Sequence, residues 1–427
     1  MQEQGGKAKG RRDFVRGAAT AAGATLASGL IVPAVHAGGT QTLKVGLVGC
    51  GGRGSGAAVN AMNADPHVKL HALGDLFRDQ LDAAKPNLKE AGKDQFDVAD
   101  DRCFDGFDAY KRVVDCCDVV LLATPPGFRP LQLRYAVEQG KHVFFEKPVA
   151  VDAPGIRSVI ESGKIAMQKG LSLCSGFCYR FNPPTREWIK RIHDGAIGKI
   201  VTLQATYNTR GLWSKPRTST MSDMEFQCRN WLYFTWLSGD HNVEQHVHSI
   251  DKAMWLMHDE PPVRAVGLGG RQVRVDPQYG HIFDHHAVIY EFANGVRCYS
   301  FCRQQDETKA EDSDIVFGTI GRAVSKQFNT QFIEGANPWK ATKRANPYLV
   351  EHQDFFATIR SGNPMNAAEA AAKSTMMAIM GRMATYTGQE ITWDMAMNSK
   401  EDLAPPKYEL GSLPTPPVAL PGKTKFA

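Results

Sequence analysis

The chain has 427 residues, 43% hydrophobic and 22% charged, a balance that excludes disordered and fibrous classes and asks for two domains, each with its own core. Its 50 Lys and Arg stand against 45 Asp and Glu, and this net charge of +5 is spread without long runs of one sign. No nucleic-acid partner is expected.

Residues 1–37 read as an export signal. Lys7, Lys9, Arg11, Arg12 and Arg16 precede a weakly apolar run, Ala18 to Val35, ending at Val35-His36-Ala37, a small-residue cleavage pattern. The run contains Gly23, Gly29 and Pro33, so it is too short and too weakly apolar for a stable membrane span; an N-terminal anchor is the alternative. Arg11-Arg12-Asp13-Phe14-Val15 resembles the twin-arginine signal, an address for proteins exported already folded. A periplasmic or secreted location follows, with a cofactor loaded before export. Removing residues 1–37 takes away five Lys/Arg and two Asp/Glu and leaves a net charge of +2. The nine cysteines, an odd number without framework spacing, would be kept reduced by cytoplasmic folding. Cys174 with Cys178, and Cys298 with Cys302, have metal-like spacing but sit in strand-like stretches, where buried thiols are expected.

Leu43 to Val48 is a buried strand, followed by Gly49-Cys50-Gly51-Gly52-Arg53-Gly54 and a helical stretch from Ala57 onward. A second strand, Val68 to Leu73, ends at Asp75, 21 residues beyond Gly54. Further strands over Asp101 to Phe104, Asp118 to Thr124 and His142 to Phe145 alternate with helices, a βαβ series. In that setting the glycine loop is a dinucleotide cradle. Its first glycine permits the tight turn, its second admits a pyrophosphate, and its third lets helix pack on strand, while the helix amides face the phosphates. Asp75 is placed to accept from the adenine ribose hydroxyls and to repel a 2'-phosphate, so NAD is favoured; Arg78 nearby leaves NADP possible. Gly49, Gly51, Gly52, Arg53, Gly54, Asp75, Thr124, Pro125, Glu146 and Lys147 form the expected cofactor-binding set.

The fifth strand ends at Phe145-Glu146-Lys147-Pro148. With the glycine loop and the acidic strand end, this resembles the glucose-fructose oxidoreductase, inositol dehydrogenase and rhizopine-catabolism (Gfo/Idh/MocA) family over roughly residues 43–395. Further matches run from Gly176 to Pro183 and from Gly195 to Ile200, then to a helix carrying His248 and Asp251. The resemblance implies an α/β protein: a Rossmann domain over 43–180, then over 181–395 an α/β domain whose large, open, mostly antiparallel sheet walls the site and mediates a homo-oligomer, dimer or tetramer. Beyond it, 396–427 is a proline-rich arm over the surface or another subunit.

Hydride transfer from a carbinol needs a group to take the hydroxyl proton and a donor to hold the developing alkoxide, tasks that suit Lys147 and His248. Lys147 follows a buried strand at the carboxyl edge of the sheet, where ligands of open α/β folds bind. Glu244, His248 and Asp251 stand at i, i+4 and i+7 of a helix expected to run on to His258, so one face carries all three while His246 points elsewhere. Similar proteins read Asp-x-Gly-x-His here; Glu244 and His246 replace the acid and the glycine and would reshape the substrate pocket. Acid/base catalysis by His248 with Glu244 orienting it competes with a divalent metal on Glu244, His248 and one of His281, His285 or His286, and with plain capping by Asp240 and satisfied histidines; no metal is assigned. Tyr179 and Arg180, after a strand over Leu171 to Cys178, can grip sugar hydroxyls or form a core tyrosine and a structural ion pair. Trp213, Trp231, Tyr233 and Trp236 suit stacking on a sugar ring or core packing, with Trp231 and His246 taken as substrate contacts.

Outside the cytoplasm no soluble nicotinamide pool is expected, so the cofactor must stay bound. Either a second carbohydrate regenerates it, as in a sugar-sugar oxidoreductase, or the net reaction is redox-neutral, resembling glycoside hydrolase family 109. A non-catalytic nucleotide-containing sugar-binding protein is the third reading, disfavoured by the presence of both Lys147 and His248.

Overall fold

The computed structural model describes residues 41–328 and 330–427. The export-signal reading of residues 1–37 lies outside them. The described residues form two sheets. Strands β1 (Leu43–Val48), β2 (Val68–Asp75), β3 (Cys103–Asp105), β4 (Val119–Leu122), β5 (His142–Phe145) and β6 (Leu173–Ser175) pair in parallel in the order β3-β2-β1-β4-β5-β6. Every residue of β4 and β5 is buried, the continuous apolar pattern of strands covered on both faces. Helices α1 (Gly52–Ala64), α2 (Arg78–Gly92), α3 (Ala109–Cys116), α4 (Arg129–Glu138) and α5 (Ala153–Gln168) supply the cover. The strand order reverses between β1 and β4, and ligands of such sheets sit at that point, outside the carboxyl ends.

Three boundaries differ from the sequence reading. Helix α1 begins at Gly52, inside the glycine loop and not at Ala57, because the small residues there turn straight from strand into helix. Strand β3 starts at Cys103, since Asp100–Arg102 close a single 3-10 turn before it. The strand expected over Leu171 to Cys178 is only Leu173–Ser175, because the chain leaves the sheet at Gly176 and winds a 3-10 turn over Cys178–Phe181.

The second sheet has the order β14-β13-β12-β11-β7-β10-β9-β8-β15, from β7 (Ile200–Thr209), β8 (Arg264–Gly270), β9 (His285–Glu291), β10 (Arg297–Gln304), β11 (Glu311–Gly318), β12 (Gly321–Lys326), β13 (Thr330–Gly335), β14 (Trp339–Lys340) and β15 (Ile391–Thr392). Its pairs are antiparallel apart from β7 with β10. Along β10, Cys298, Ser300, Cys302 and Gln304 are buried while Arg297 and Phe301 are exposed, the alternation of a sheet covered on one face.

Helices α6 (Pro183–His193), α7 (Asp223–Arg229), α8 (Thr235–Ser238), α9 (His241–Glu244), α10 (Val247–Leu256), α11 (Pro347–Ser361), α12 (Ala368–Thr387) and α13 (Trp393–Asn398) complete the chain. Helix α11 returns to pack on α1, and α12 lies against both α5 and β8. That sandwiching explains why α12 is apolar nearly all round, with Met376, Met377, Met380 and Met383 buried, each contributing about 1.5–3 kcal/mol of apolar burial. The two sheets thus share one helical layer.

The proline-rich arm lies back on its own chain: Leu413 donates its amide to Asp223 and accepts from Gln227, and the amide of Leu403 reaches Asp152. The cysteines are free thiols, and Cys174, Cys178, Cys298 and Cys302 are buried. Among the described residues no helix is long and apolar enough to cross a membrane.

Candidate functional site

A cavity of about 600 Å³ opens at the carboxyl edge of the first sheet. Gly49, Gly51, Gly52, Arg53, Gly54, Asp75, Thr124, Pro125, Glu146 and Lys147 all line it, together with Trp231, Glu244 and His248. The glycine loop has the shape its sequence implies. Gly49 has φ +95°, and a methyl at Gly54 would stand 1.8 Å from the carbonyl oxygen of Gly49, so helix and strand touch through backbone. At Gly51 and Gly52, by contrast, an added methyl meets no protein atom within 4 Å. Open glycine backbone at the start of a helix is a cradle that a pyrophosphate fits.

Asp75 is held at the rim by backbone: its Oδ2 accepts from the amide of Cys50 at 2.7 Å and its Oδ1 from Phe77 at 3.0 Å. Burial raises its pKa. Arg78, the residue that left NADP open, is turned to Asp82 and Asp105 at 3.2 and 3.4 Å and does not line the cavity. Asp75 therefore presents its carboxylate to the cavity while Arg78 stays out of it, which suits a free ribose hydroxyl.

Arg53 is clamped by Glu146 and by Glu351, 3.2 Å away, with its guanidinium 4.6 Å from the centre of the Tyr348 ring. Burial and the neighbouring Glu146 push the Glu351 carboxyl well up. Arg129, fully buried, donates to the carbonyls of Leu122 and Thr124, fixing the loop after β4, and burial lowers its pKa to about 10.

The Lys147 ammonium donates to the carbonyl of Glu244 at 2.6 Å and to its carboxylate at 3.2 Å. Both side chains are only 14% exposed, so their attraction is little screened. The Lys147–Pro148 peptide bond is cis. The ring of His248 meets Tyr179 and Phe177 edge-on, and its Nδ1 has no hydrogen-bond partner. Burial first, then the positive charges of Lys147, Lys252 and Arg53, hold its pKa well below the usual imidazole value, so the ring is neutral and available as a proton acceptor. The glycine cradle, Lys147, Glu244 and His248 thus share one cavity.

Several expected contacts are not there. The helix predicted to run unbroken to His258 is interrupted at Gln245 and His246, between α9 and α10. Glu244 and His248 still face the cavity, but Asp251 does not: it accepts from Arg180 at 2.9 Å and from Ser374 at 2.7 Å. Arg180 also pairs with Asp259 at 2.6 Å, which makes it a structural cation. Tyr179 is buried, stacked on Phe328 with the Lys252 ammonium 4.0 Å from its ring centre. Neither lines the cavity, because the short β6 drops both into the core. His246, turned away by the helix break, sits with Nε2 2.7 Å from the Ser300 hydroxyl, also off the cavity wall. Glu244 and His248 gather no third ligand: among the described residues, the cluster of His, Cys, Asp or Glu close enough to hold an ion is Asp240, His241 and His286, away from the cavity wall.

Residues at the wall that the sequence does not point to include Phe77, Lys215 and Tyr348, whereas Trp213 and Arg229 belong to the aromatic and polar stretch before Trp236. Trp213 and Trp231 stand 6.1 Å apart in an edge arrangement at one side, an aromatic wall for a ring-shaped ligand. The Arg53 to Tyr348 contact had no local signal, since the partners belong to opposite ends of the chain.

Comparison with known proteins agrees with this geometry. Residues 43–175 match the oxidoreductase family with an NAD-binding Rossmann fold (GFO/IDH/MocA), and residues 185–324 match the GFO/IDH/MocA C-terminal domain. The chain is 26% identical over 313 residues to inositol 2-dehydrogenase 4 of Saccharopolyspora erythraea, covering 68% of this chain and 81% of that one. A glycosyl hydrolase family 109 protein of Solibacter usitatus is 29% identical over 176 residues, 39% of this chain and 37% of that one. In fold, the chain is similar to levoglucosan dehydrogenase in complex with NADH and levoglucosan, with a TM-score of 0.65 at 18% identity over 82% of this chain and 99% of that one.

Proposed function

Because the chain belongs to the Gfo/Idh/MocA family of NAD-binding oxidoreductases, we propose that it oxidises or reduces a CH–OH group of a sugar or cyclic polyol. One observation carries this reading: Lys147, Glu244 and His248 converge on the same cavity as the glycine cradle. Bound NAD supplies the acceptance and return of hydride. The residues do the rest. The Lys147 ammonium, held in place by Glu244, donates to the carbinol oxygen and stabilises charge that develops there. The neutral His248 accepts the hydroxyl proton. Trp213 and Trp231 offer faces to a sugar ring, and Asp75 would hold the adenine ribose of bound NAD.

Export through the twin-arginine route to the periplasm or medium belongs to the same proposal, supported by Arg11, Arg12 and the weakly apolar run after them. It requires a cofactor that does not leave between turnovers, regenerated by a second carbohydrate. NAD should therefore appear by mass spectrometry in undialysed protein. Assembly as a dimer or tetramer is supported by the exposed Val266, Leu268, Phe301 and Phe317 on the uncovered sheet face.

The partial likeness to a glycosyl hydrolase family 109 protein favours a second reading, redox-neutral cleavage of a glycoside. A substrate deuterated at the oxidised carbon separates the two. The oxidoreductase passes the label to a second sugar. The glycosidase returns it to the same ring, and in deuterium oxide releases aglycone with solvent deuterium on the neighbouring carbon.

A further inference from the structure

Away from the cavity wall, Asp240, His241 and His286 come together where the start of α9 meets β9 and the end of α12. One ligand atom from each lies within 4.8 Å of the others, and all three side chains are buried. Oδ1 of Asp240 is 2.9 Å from Nδ1 of His241 and 3.2 Å from Nε2 of His286. Yet neither nitrogen makes a hydrogen bond: the close approaches lie off the donor axes. Three potential ligand atoms this close together, with both ring nitrogens free of hydrogen bonds, make a candidate coordination site.

The protons can be placed from the surroundings. The Thr385 hydroxyl donates to the carbonyl of Arg382 at 3.0 Å, so its oxygen accepts from Nδ1–H of His286 at 2.9 Å. Nε2 is then the ring's free nitrogen, 3.2 Å from the Asp240 carboxylate. Two acceptors this close in a dry interior repel unless a cation lies between them. The other carboxylate oxygen, Oδ2, is already saturated by the Phe283 amide at 3.0 Å and the Tyr386 hydroxyl at 2.6 Å, which fixes the direction of Oδ1. A ligating histidine whose outer N–H is held by an oxygen, beside a carboxylate oriented by its own donors, is the usual support of a bound metal.

We propose that Asp240, His241 and His286 bind a divalent transition-metal ion, and that it is zinc. Two imidazoles and one carboxylate supply three of the four donors of a tetrahedral zinc ion, a single enclosed water completing them, and the burial of all three side chains assigns the site a structural task. The ion would tie β9 to the first residue of α9, the helix that ends at Glu244 and so positions Lys147. The proposal does not depend on the substrate or on the reaction.

The test is elemental analysis of the full-length protein, produced without a polyhistidine tag and purified without chelator. About one zinc per chain is expected, falling below roughly a tenth in His286→Ala and Asp240→Asn, while His285→Ala, one residue away, keeps it. Because a variant of so buried a site can fail to fold, the parent protein is also stripped with dipicolinate. Its melting temperature should drop and be restored by zinc but not by magnesium, and cobalt should give the visible absorption of a low-coordinate ion. Metal-free parent protein that neither binds added zinc nor changes its melting temperature would overturn the proposal, as would a folded His286→Ala protein with full zinc content.

Discussion

Lys147 does at the scale of one residue what its strand-end position promised: it stands in the cavity with its ammonium fixed by the carbonyl and carboxylate of Glu244. Lys147→Met should keep the fold and the bound nucleotide but lower turnover about 100-fold or more, the contribution of a positioned proton-transfer or oxyanion group. Near-normal turnover with carbohydrate would remove it from the mechanism. Asp75 makes a second residue-scale claim. With its carboxylate pinned by the amides of Cys50 and Phe77 and Arg78 turned away, the parent protein should bind NAD more tightly than NADP, and Asp75→Ala should narrow that gap in a titration of both nucleotides. These residues were legible because each sits in a short motif with chemical content. For Tyr179 and Arg180 the sequence leaves sugar contact and core pairing open, and for His246 it suggests a substrate contact that the structure does not place at the wall. Their types suit sugar binding, but whether a side chain at a strand end or a helix break faces a cavity or the core is decided by tertiary packing.

Among the elements, the glycine loop is the one whose sequence and shape agree most closely, and two alanine substitutions distinguish its parts. In Gly54→Ala the new methyl would stand 1.8 Å from the Gly49 carbonyl, so α1 must shift, at a cost of about 1–3 kcal/mol in a denaturant titration. In Gly52→Ala the methyl meets no protein atom and stability should hold, but nucleotide affinity should fall because cavity space is filled. Equal stability of both variants would contradict the packing role of Gly54. The helix after Gly239 was legible only in part. Its i, i+4, i+7 spacing placed Glu244 and His248 together correctly, yet the break at Gln245 and His246 sends Asp251 to Arg180 and Ser374. No glycine or proline marks that break, so the local sequence carries no sign of it.

Over the whole molecule, the fold class could be read because continuous apolar strands alternating with helices allow few arrangements other than a covered parallel sheet. The return of α11 onto α1 could not, since Arg53 and Glu351 are 298 positions apart and no periodicity links them. Folding also buries histidines as neutral rings, with burial pushing His281 and His352 down to about 4 and His246 to about 3. Unfolded histidine titrates near ~6.5, so below that pH the unfolded chain binds more protons than the folded one, and stability is lost as pH falls toward about 4. The denaturation midpoint should already decline between about pH 6.5 and 5, before most carboxylates titrate; a flat midpoint across that window would mean the rings are charged in the fold. The central claim, that one cavity joins nucleotide and carbinol for hydride transfer, has a direct measurement. The purified enzyme, loaded with NAD, is mixed with a panel of aldoses and cyclic polyols, and the absorbance of the reduced nicotinamide is followed in a single turnover. At least one carbohydrate should reduce the bound cofactor in the parent protein and fail to do so at a comparable rate in Lys147→Met. A cofactor that stays oxidised with every sugar, while nitrophenyl glycosides are cleaved at an undiminished rate by Lys147→Met, would contradict the account.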